Sequence, residues 1–285
     1  MDDNQTYAVW REKKLAHHAR TIDQLIVQVT DPRRLTDAEH AAVLHCCQQN
    51  NMAIYASKTG DDPDKDIPKR LGEQFGLYQR DHNPGADEDA VTSICVQSDA
   101  LHRGYIPYTN RAIAWHTDGY YNAPHRQVRA FILHCVQPAN KGGENGLIDP
   151  ENIYIRLRDR DPNLIRALMR QDAMSIPANV SDGRTLRPIS IGPVLTWDAN
   201  GKLHMRYTDR RRNVIWHNDP DTSAAVAALR ETFDAVDTLP VLRSRLEPGW
   251  GVICNNVLHA RERFDDDGSP RLLYRARYYN RIAGT

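Results

Sequence analysis

Three residues able to bind a metal stand out in the sequence, two of them close together and the third far downstream. His116 and Asp118 follow an apolar run, and the single residue between them places both side chains on one face of a strand. His259 ends another apolar run. Two imidazoles and one carboxylate on one face of a cation, with the remaining positions open, suit a redox-active non-haem Fe(II). The sequence therefore predicts an iron site made of these three side chains. The alternative for His116 and Asp118 is a surface hydrogen-bonded pair, because His-x-Asp often occurs by chance.

Two arginines near the end of the chain add a second chemical feature. A dicarboxylate that chelates iron through one end needs a cation for its other carboxylate, and the guanidinium of Arg271 offers a bidentate fork. Arg275 follows after an even spacing, which on a regular strand points both side chains to one face. A solvated basic strand is the alternative, because Arg277 and Arg281 share this parity.

Four segments, taken in order, resemble the taurine dioxygenase (TauD/TfdA-like) family of Fe(II)/2-oxoglutarate oxygenases, which is related to γ-butyrobetaine and trimethyllysine hydroxylases. They are Trp115-His116-Thr117-Asp118, Leu133-His134-Cys135 before Gly142-Gly143, Pro248-Gly249 to His259-Ala260-Arg261, and Arg271. The resemblance covers residues from about 112 to 280, whereas residues 1–90 match only in general layout. It implies an α+β fold with a mainly β core: a double-stranded β-helix (jelly-roll, cupin-like) with flanking N-terminal and inserted helices.

The resemblance also implies roles for individual residues. His116, Asp118 and His259 would bind Fe(II), and Arg271 would hold the distal carboxylate of 2-oxoglutarate. Asn145 stands where related proteins place a threonine that helps to hold this co-substrate. With O₂, the expected reaction hydroxylates or oxidatively cleaves a small polar, anionic metabolite and releases succinate and CO₂. Asp118 argues against halogenation, because halogenating relatives replace this carboxylate with a small residue.

The substrate stays open at the level of sequence. Arg275 matches an arginine that some family members use for an anionic head group, which favours a carboxylate, sulfonate or phosphonate. Aromatic residues could instead form a cage for a quaternary ammonium, although each one alone is more often a packed strand residue. Tyr120 and Tyr207 are the two tyrosines that we predict as substrate contacts. The basic stretch 206–212 is either a phosphate or nucleic-acid patch or a loop beside the active site.

Two other classes of protein compete with the oxygenase. A jelly-roll protein that has lost catalysis could bind a small ligand, but it has no reason to keep the three ligands together with Arg271. A zinc hydrolase could use the same two histidines and carboxylate. It would leave Arg271 unexplained.

Bulk composition limits the partners. Lys and Arg together number 37, as do Asp and Glu, so no net field favours nucleic acid or an anionic membrane. No apolar run approaches the roughly 20 residues of a membrane span, and no apolar signal segment follows the polar N-terminus. The five cysteines include no C-x-x-C pair, which favours reduced thiols. We therefore expect a cytoplasmic enzyme with a small-molecule substrate and no nucleic-acid or membrane partner; a homo-oligomer is left open.

The element pattern predicts one domain over residues 1–285. Residues 1–90 would support a jelly-roll core in residues 91–285, which carries a helical insert at about 150–237. A capping box at Thr36 begins the first predicted helix, and Asp66 is predicted to cap the second. Asp221 or Thr222 would cap a helix over residues 221–237. A strand over residues 250–254 would deliver His259, and a final strand would run over residues 271–279.

Overall fold

The structure is a computed structural model that describes residues 4–82, 90–97, 105–181, 183–210, 212–234, 240–266, 268 and 270–285. The chain forms two compact units. The first comprises Met1–His17, Ala114–Gln127 and Ile148–Val241, and the second comprises His18–Ile113, Val128–Leu147 and Leu242–Thr285. No helix in these described ranges is long and apolar enough to cross a membrane.

The α-helices and strands are numbered in chain order, leaving three short 3-10 turns aside. The helices are α1 (Asn4–His17), α2 (Asp37–Asn50), α3 (Asp66–Gln74), α4 (Pro150–Arg160), α5 (Pro162–Leu168) and α6 (Pro220–Asp234). The first strands are β1 (Ile26–Val29), β2 (Met52–Ser57), β3 (Val91–Ile94), β4 (Ile113–His116), β5 (Ala130–Gln137), β6 (Lys141–Gly142) and β7 (Asn145–Ile148). Those that follow are β8 (Met174–Ile176), β9 (Asn179–Ser181), β10 (Arg184–Arg187), β11 (Ser190–Gly192), β12 (Leu195–Trp197) and β13 (Leu203–Met205). The last are β14 (Ile215–Trp216), β15 (Leu242–Ser244), β16 (Trp250–Cys254), β17 (Leu258–Arg261), β18 (Phe264–Asp265) and β19 (Leu272–Tyr278).

A six-stranded sheet in the order β1-β2-β16-β5-β19-β3 forms the core of the second unit. β1 runs parallel to β2, and the other neighbouring pairs are antiparallel. Neighbouring residues of one strand, such as Phe131 and Ile132 or Leu273 and Tyr274, belong to two separate apolar clusters. Since successive side chains of a strand point to opposite faces, this sheet is buried on both. Double burial explains why β2, β5 and β16, in the middle of this sheet, are mainly apolar in sequence.

The first unit contains the inserted helices and several short strands. α4 begins with Pro150 after Asp149, whose side chain accepts a hydrogen bond from the backbone N–H of Glu151. Lys14 on α1 lies 2.5 Å from carboxylate oxygens of both Asp149 and Glu151. This buried ion group joins α1 to the first turn of α4.

Several predicted helix boundaries are confirmed, and others need correction. Thr36 caps α2 through the predicted capping box. α3 begins at Asp66 itself, so the predicted cap is wrong: Lys65 is the N-cap and makes no side-chain cap bond. α6 begins one residue before the predicted caps, because Asp219 accepts bonds from the backbone N–H and hydroxyl of Thr222. The described part of α6 ends at residue 234; the predicted residues 235–237 lie outside the described ranges.

Two further elements differ from the sequence prediction. The helix α1 was not predicted, because its sequence has no clear apolar stripe. The strand over residues 250–254 exists as β16, but His259 lies on the separate strand β17. Asn256, between the two, adopts a positive φ of 53° and breaks the extended chain there.

Candidate active site

His116 and Asp118 lie side by side in the first unit, although only His116 is on a strand. β4 ends at His116, and Asp118 lies in the turn that follows. The His116 Nε2 and Asp118 Oδ1 atoms are 3.8 Å apart, and Asp118 is buried at 5% exposure. Two ligands at right angles on a cation with bonds of about 2.1 Å stand about 3 Å apart. The pair therefore needs only a small shift to share one metal ion.

The two predicted histidine ligands make the same local hydrogen bond. Nδ1 of His116 lies 2.9 Å from the carbonyl oxygen of Ala114, and Nδ1 of His259 lies 3.0 Å from that of Val257. A carbonyl only accepts, so Nδ1 of each neutral ring carries the proton and Nε2 carries the lone pair. Metal-binding histidines use this arrangement, which sets the tautomer and the ring orientation. Both side chains therefore fit a metal bound through Nε2.

The chain around His116 is held by residues 207–209. The backbone N–H of Thr117 donates to the carbonyl of Tyr207, and the N–H of Tyr207 donates to Oγ1 of Thr117, both at 3.0 Å. The Tyr207 side chain is fully buried, its ring packs near Trp216 and Phe233, and burial raises its pKa. A side chain without exposed surface argues against the predicted substrate contact for Tyr207. Its role in the structure is to hold the segment that carries His116 and Asp118.

Arg206 is a buried cation that the sequence analysis did not single out. Its guanidinium donates to four backbone carbonyls, those of Tyr120 (2.8 Å), Met174 (3.0 Å), Gly192 (3.3 Å) and Ser190 (2.9 Å). Burial lowers its pKa to about 10, so it stays protonated at neutral pH. Arg206 therefore joins the turn after Asp118 to the short strands of the insert. The sequence signal was its place at the start of the basic stretch 206–212.

We expect Arg206→Met to destabilise the first unit strongly. The substitution keeps most of the side-chain volume but leaves four carbonyls without their donor, and we expect a loss of about 3–5 kcal/mol in the free energy of unfolding. Urea unfolding followed by circular dichroism measures this loss. Arg212→Met, at an exposed arginine nearby, is the control and should change stability by less than about 0.5 kcal/mol. Equal stability of Arg206→Met and the wild type would contradict a structural role.

In the second unit, β17 positions His259. The side-chain amide of Asn256 donates to the carbonyl of Val128 at 2.7 Å and fixes the turn that precedes β17. The His259 ring packs on Phe131 of the main sheet, with 4.7 Å between ring centroids. Arg261, two residues further along β17, donates to the carbonyls of Thr109 (2.7 Å) and of two other residues in the 107–111 segment.

Arg271 and Asn145 line the same small cavity in the second unit. The other lining residues include Cys135, Gly142 and Gly143. Arg271 is only 4% exposed, and its guanidinium lies over the Phe264 ring at 5.1 Å. Burial lowers its pKa to about 10, which still leaves it charged at neutral pH.

The guanidinium of Arg271 makes no ion pair with any residue in the described part of the chain. Its backbone N–H donates to Asp266, but no carboxylate lies at ion-pair distance from its side chain. A buried cation without a counter-charge is costly unless an anion binds beside it. This arrangement fits the far carboxylate of 2-oxoglutarate, and Asn145 adds an amide to the same cavity.

Leu273, midway between Arg271 and Arg275, lines the same cavity as Arg271. Arg271 precedes β19, and the pairing of β19 with β5 shifts register between Leu272 and Leu273. The extra residue of this bulge is Val136 of β5, so the alternation along β19 continues, with Leu272 and Tyr274 in one apolar cluster and Leu273 in the other. Within β19, Arg275 lies on the face of Leu273, which packs in the same apolar cluster as Phe131. It therefore shares a sheet face with the residue that contacts His259.

Comparisons with known proteins agree with this fold. Residues 19–277 match the family described as "Taurine catabolism dioxygenase TauD, TfdA family". A uridine-5'-phosphate dioxygenase from Amycolatopsis sp is 28% identical over 283 residues, covering 90% of this chain and 97% of that protein. One from Streptomyces sp is 29% identical over 216 residues, covering 74% of this chain and 75% of that protein. The solved non-heme iron oxygenase OrfP in complex with Fe and alpha-ketoglutaric acid matches with a TM-score of 0.60 and 16% identity, over 87% of this chain and 81% of that one.

The similarity to this solved structure shows the class of fold. The protein is α+β with a mainly β core of the jelly-roll, cupin-like type, as predicted. The family match spans most of the chain, so this protein belongs to the TauD/TfdA dioxygenase family. It is accordingly a 2-oxoglutarate-dependent dioxygenase that uses Fe(II) and O₂ and acts on a small molecule. The predicted enzyme class and cofactors are thereby confirmed.

Proposed function

We propose that His116, Asp118 and His259 bind a single Fe(II) ion. The observation that carries this proposal is that each histidine makes a hydrogen bond from Nδ1 to a backbone carbonyl two residues before it. This bond leaves Nε2 as the metal-binding nitrogen in both. Asp118 supplies the carboxylate of a two-histidine, one-carboxylate set. Bound iron would supply O₂ activation coupled to the oxidative decarboxylation of 2-oxoglutarate to succinate and CO₂. The protein's own part is to fix the ligands and to orient the substrate.

Arg271 and Asn145 are the residues that we propose for 2-oxoglutarate. The guanidinium would hold the carboxylate far from the metal through two parallel N–H bonds. Its stacking on Phe264 and its burial restrict the side chain to one orientation. The Asn145 amide, 8% exposed on β7, would donate a hydrogen bond to the same co-substrate.

For the substrate, we propose a nucleoside 5'-phosphate of the uridine type. The support is the pair of curated relatives, both uridine-5'-phosphate dioxygenases, one of which aligns with nearly its whole length. Tyr120 and Arg275 remain the proposed substrate contacts, because a phenol and a guanidinium both bind phosphate oxygens. A small anionic substrate also agrees with a chain that carries no net charge to attract nucleic acid.

Succinate release tests this substrate directly. Purified enzyme with Fe(II), 2-oxoglutarate and air should release succinate in response to uridine-5'-phosphate, with kcat/KM about 100-fold or more above that for uridine, because a site built around phosphate rejects an analogue that lacks it. Taurine and a quaternary ammonium compound serve as alternative substrates. No stimulation by uridine-5'-phosphate in iron-loaded, folded enzyme would overturn this substrate. Preference for one of the other compounds would identify the replacement class.

The cellular setting belongs to the same proposal. We propose a cytoplasmic enzyme of one functional domain. We also propose that it has neither nucleic-acid nor membrane partners, because the positive and negative charges of the chain balance. The homo-oligomer left open by the sequence is measurable by light scattering of the purified protein.

A further inference from the structure

Three arginines surround the turn that follows Asp118 in the first unit. Arg206 donates to the backbone carbonyl of Tyr120, and Arg187 donates to that of Tyr121 at 3.4 Å. Arg210 makes the third contact, from its Nη1 to the hydroxyl of Tyr120 at 3.4 Å. The turn that carries Tyr120 therefore lies in a strongly positive environment immediately after a proposed metal ligand.

Only Arg210 keeps its charge available for a ligand. The guanidinium of Arg206 is buried on backbone carbonyls, and that of Arg187 donates to the carbonyls of Pro177 and Pro188. Arg210 is exposed, and within the described ranges no carboxylate forms an ion pair with it.

The neighbouring carboxylate does not neutralise Arg210. Asp209 instead accepts from Arg230 Nε at 3.1 Å and from the Tyr207 hydroxyl at 3.2 Å. Arg210 is next to Asp209 in sequence, but in the structure Asp209 accepts its hydrogen bonds from other residues. A cation on the basic stretch 206–212 is thereby left facing a phenol rather than a carboxylate.

Tyr120 connects this cation to the candidate iron site. Its ring stands perpendicular to the His116 imidazole, with 6.4 Å between the centroids. The phenol oxygen accepts the bond from Arg210 and still has its own proton to donate. A phosphate beside it would receive this O–H bond together with the remaining N–H groups of Arg210.

We propose that Arg210 and Tyr120 bind the phosphate of the substrate. This inference rests on the proposed nucleoside 5'-phosphate substrate and names the residues that recognise its anionic group. Arg210 supplies a positive charge and two parallel N–H donors. Tyr120, whose ring is next to that of His116, supplies an O–H donor. Arg206 holds the backbone of Tyr120 in place. Arg210 is thus the residue of the basic stretch that we assign to the phosphate.

Anaerobic calorimetry measures the binding of uridine-5'-phosphate and of uridine to the Fe(II)- and 2-oxoglutarate-loaded enzyme. We expect Arg210→Ala to raise Kd for uridine-5'-phosphate about 10- to 100-fold and Kd for uridine less than about threefold, because the lost contacts are charge-assisted bonds to phosphate. Tyr120→Phe should give a smaller selective loss of about three- to tenfold. Arg210→Lys should restore part of the affinity, since it returns the charge without the fork. Arg212→Ala, at an exposed arginine two positions along, is the matched control and should bind both compounds as the wild type does.

Two results would overturn the assignment of Arg210 and Tyr120 to the phosphate and leave the proposed substrate in place. They are wild-type affinity of Arg210→Ala for uridine-5'-phosphate, and an equal loss of affinity for both compounds in this variant. Failure of wild-type enzyme to bind uridine-5'-phosphate would instead overturn the proposed substrate and this inference with it. The wild-type titration therefore separates the two failures before any variant is measured.

Discussion

Replacing His259 with alanine is expected to abolish stable iron binding and to lower kcat/KM by more than about 100-fold, since losing even a hydrogen-bond partner of a metal ligand costs about 10- to 100-fold. The structure gives the reason: the Nδ1 bond to Val257 presents Nε2 as the metal-binding atom, and alanine provides no replacement donor. Iron retained after anaerobic desalting measures the first effect. Succinate release in air measures the second, and the visible charge-transfer band that forms with Fe(II) and 2-oxoglutarate should be lost.

Histidines elsewhere on the chain provide the control for this experiment. His125 is exposed in a short 3-10 turn, and His125→Ala should keep both iron and turnover at the wild-type level. Free imidazole should restore part of the band to His259→Ala, because it can occupy the space that the side chain leaves. Full iron content and turnover in folded His259→Ala would show that His259 is not a ligand.

Removing the Arg271 guanidinium is expected to raise KM for 2-oxoglutarate about 30- to 150-fold, the factor that corresponds to losing charge-assisted hydrogen bonds of about 2–3 kcal/mol. The guanidinium is buried, charged and without an ion-pair partner in the described ranges, so the co-substrate is its expected counter-charge. Iron affinity should stay unchanged in Arg271→Ala. The rate of succinate release as a function of 2-oxoglutarate concentration measures the shift.

A charge-preserving variant separates geometry from electrostatics at this position. Arg271→Lys keeps the cation but loses the planar fork, and we expect a KM between those of the wild type and Arg271→Ala. Arg263→Ala removes an exposed arginine of the same unit and should leave KM within about twofold. Unchanged 2-oxoglutarate affinity in Arg271→Ala would exclude Arg271 from the co-substrate site.

The competing classes of protein account for less of the structure. A zinc hydrolase could use the two histidines and Asp118, but it has no use for a buried, uncompensated Arg271 beside a cavity. An inactive binding protein would have no reason to retain the metal-binding tautomer at both histidines. Membership of the dioxygenase family agrees with both observations.

Local sequence patterns predicted a large part of this protein. The Thr36 capping box begins α2 as expected, because hydrogen bonds between residues three apart decide it. The His-x-Asp motif, the distal histidine and Arg271, taken in order, were enough to indicate the family and its cofactors. Mainly apolar runs located β5 and β16 of the main sheet, since burial on both faces favours apolar residues at successive positions.

The tertiary structure decided those features that depend on contacts between distant residues. The register shift between β19 and β5 places an extra residue, Val136, in β5, and the spacing of residues along β19 cannot reveal a bulge in the strand that pairs with it. Packing against other aromatic rings buried Tyr207, which the sequence could not distinguish from a substrate contact. Asp209 pairs with Arg230 and not with its sequence neighbour Arg210. The positions of the side chains in the folded chain determine which charges pair, whatever their spacing in sequence.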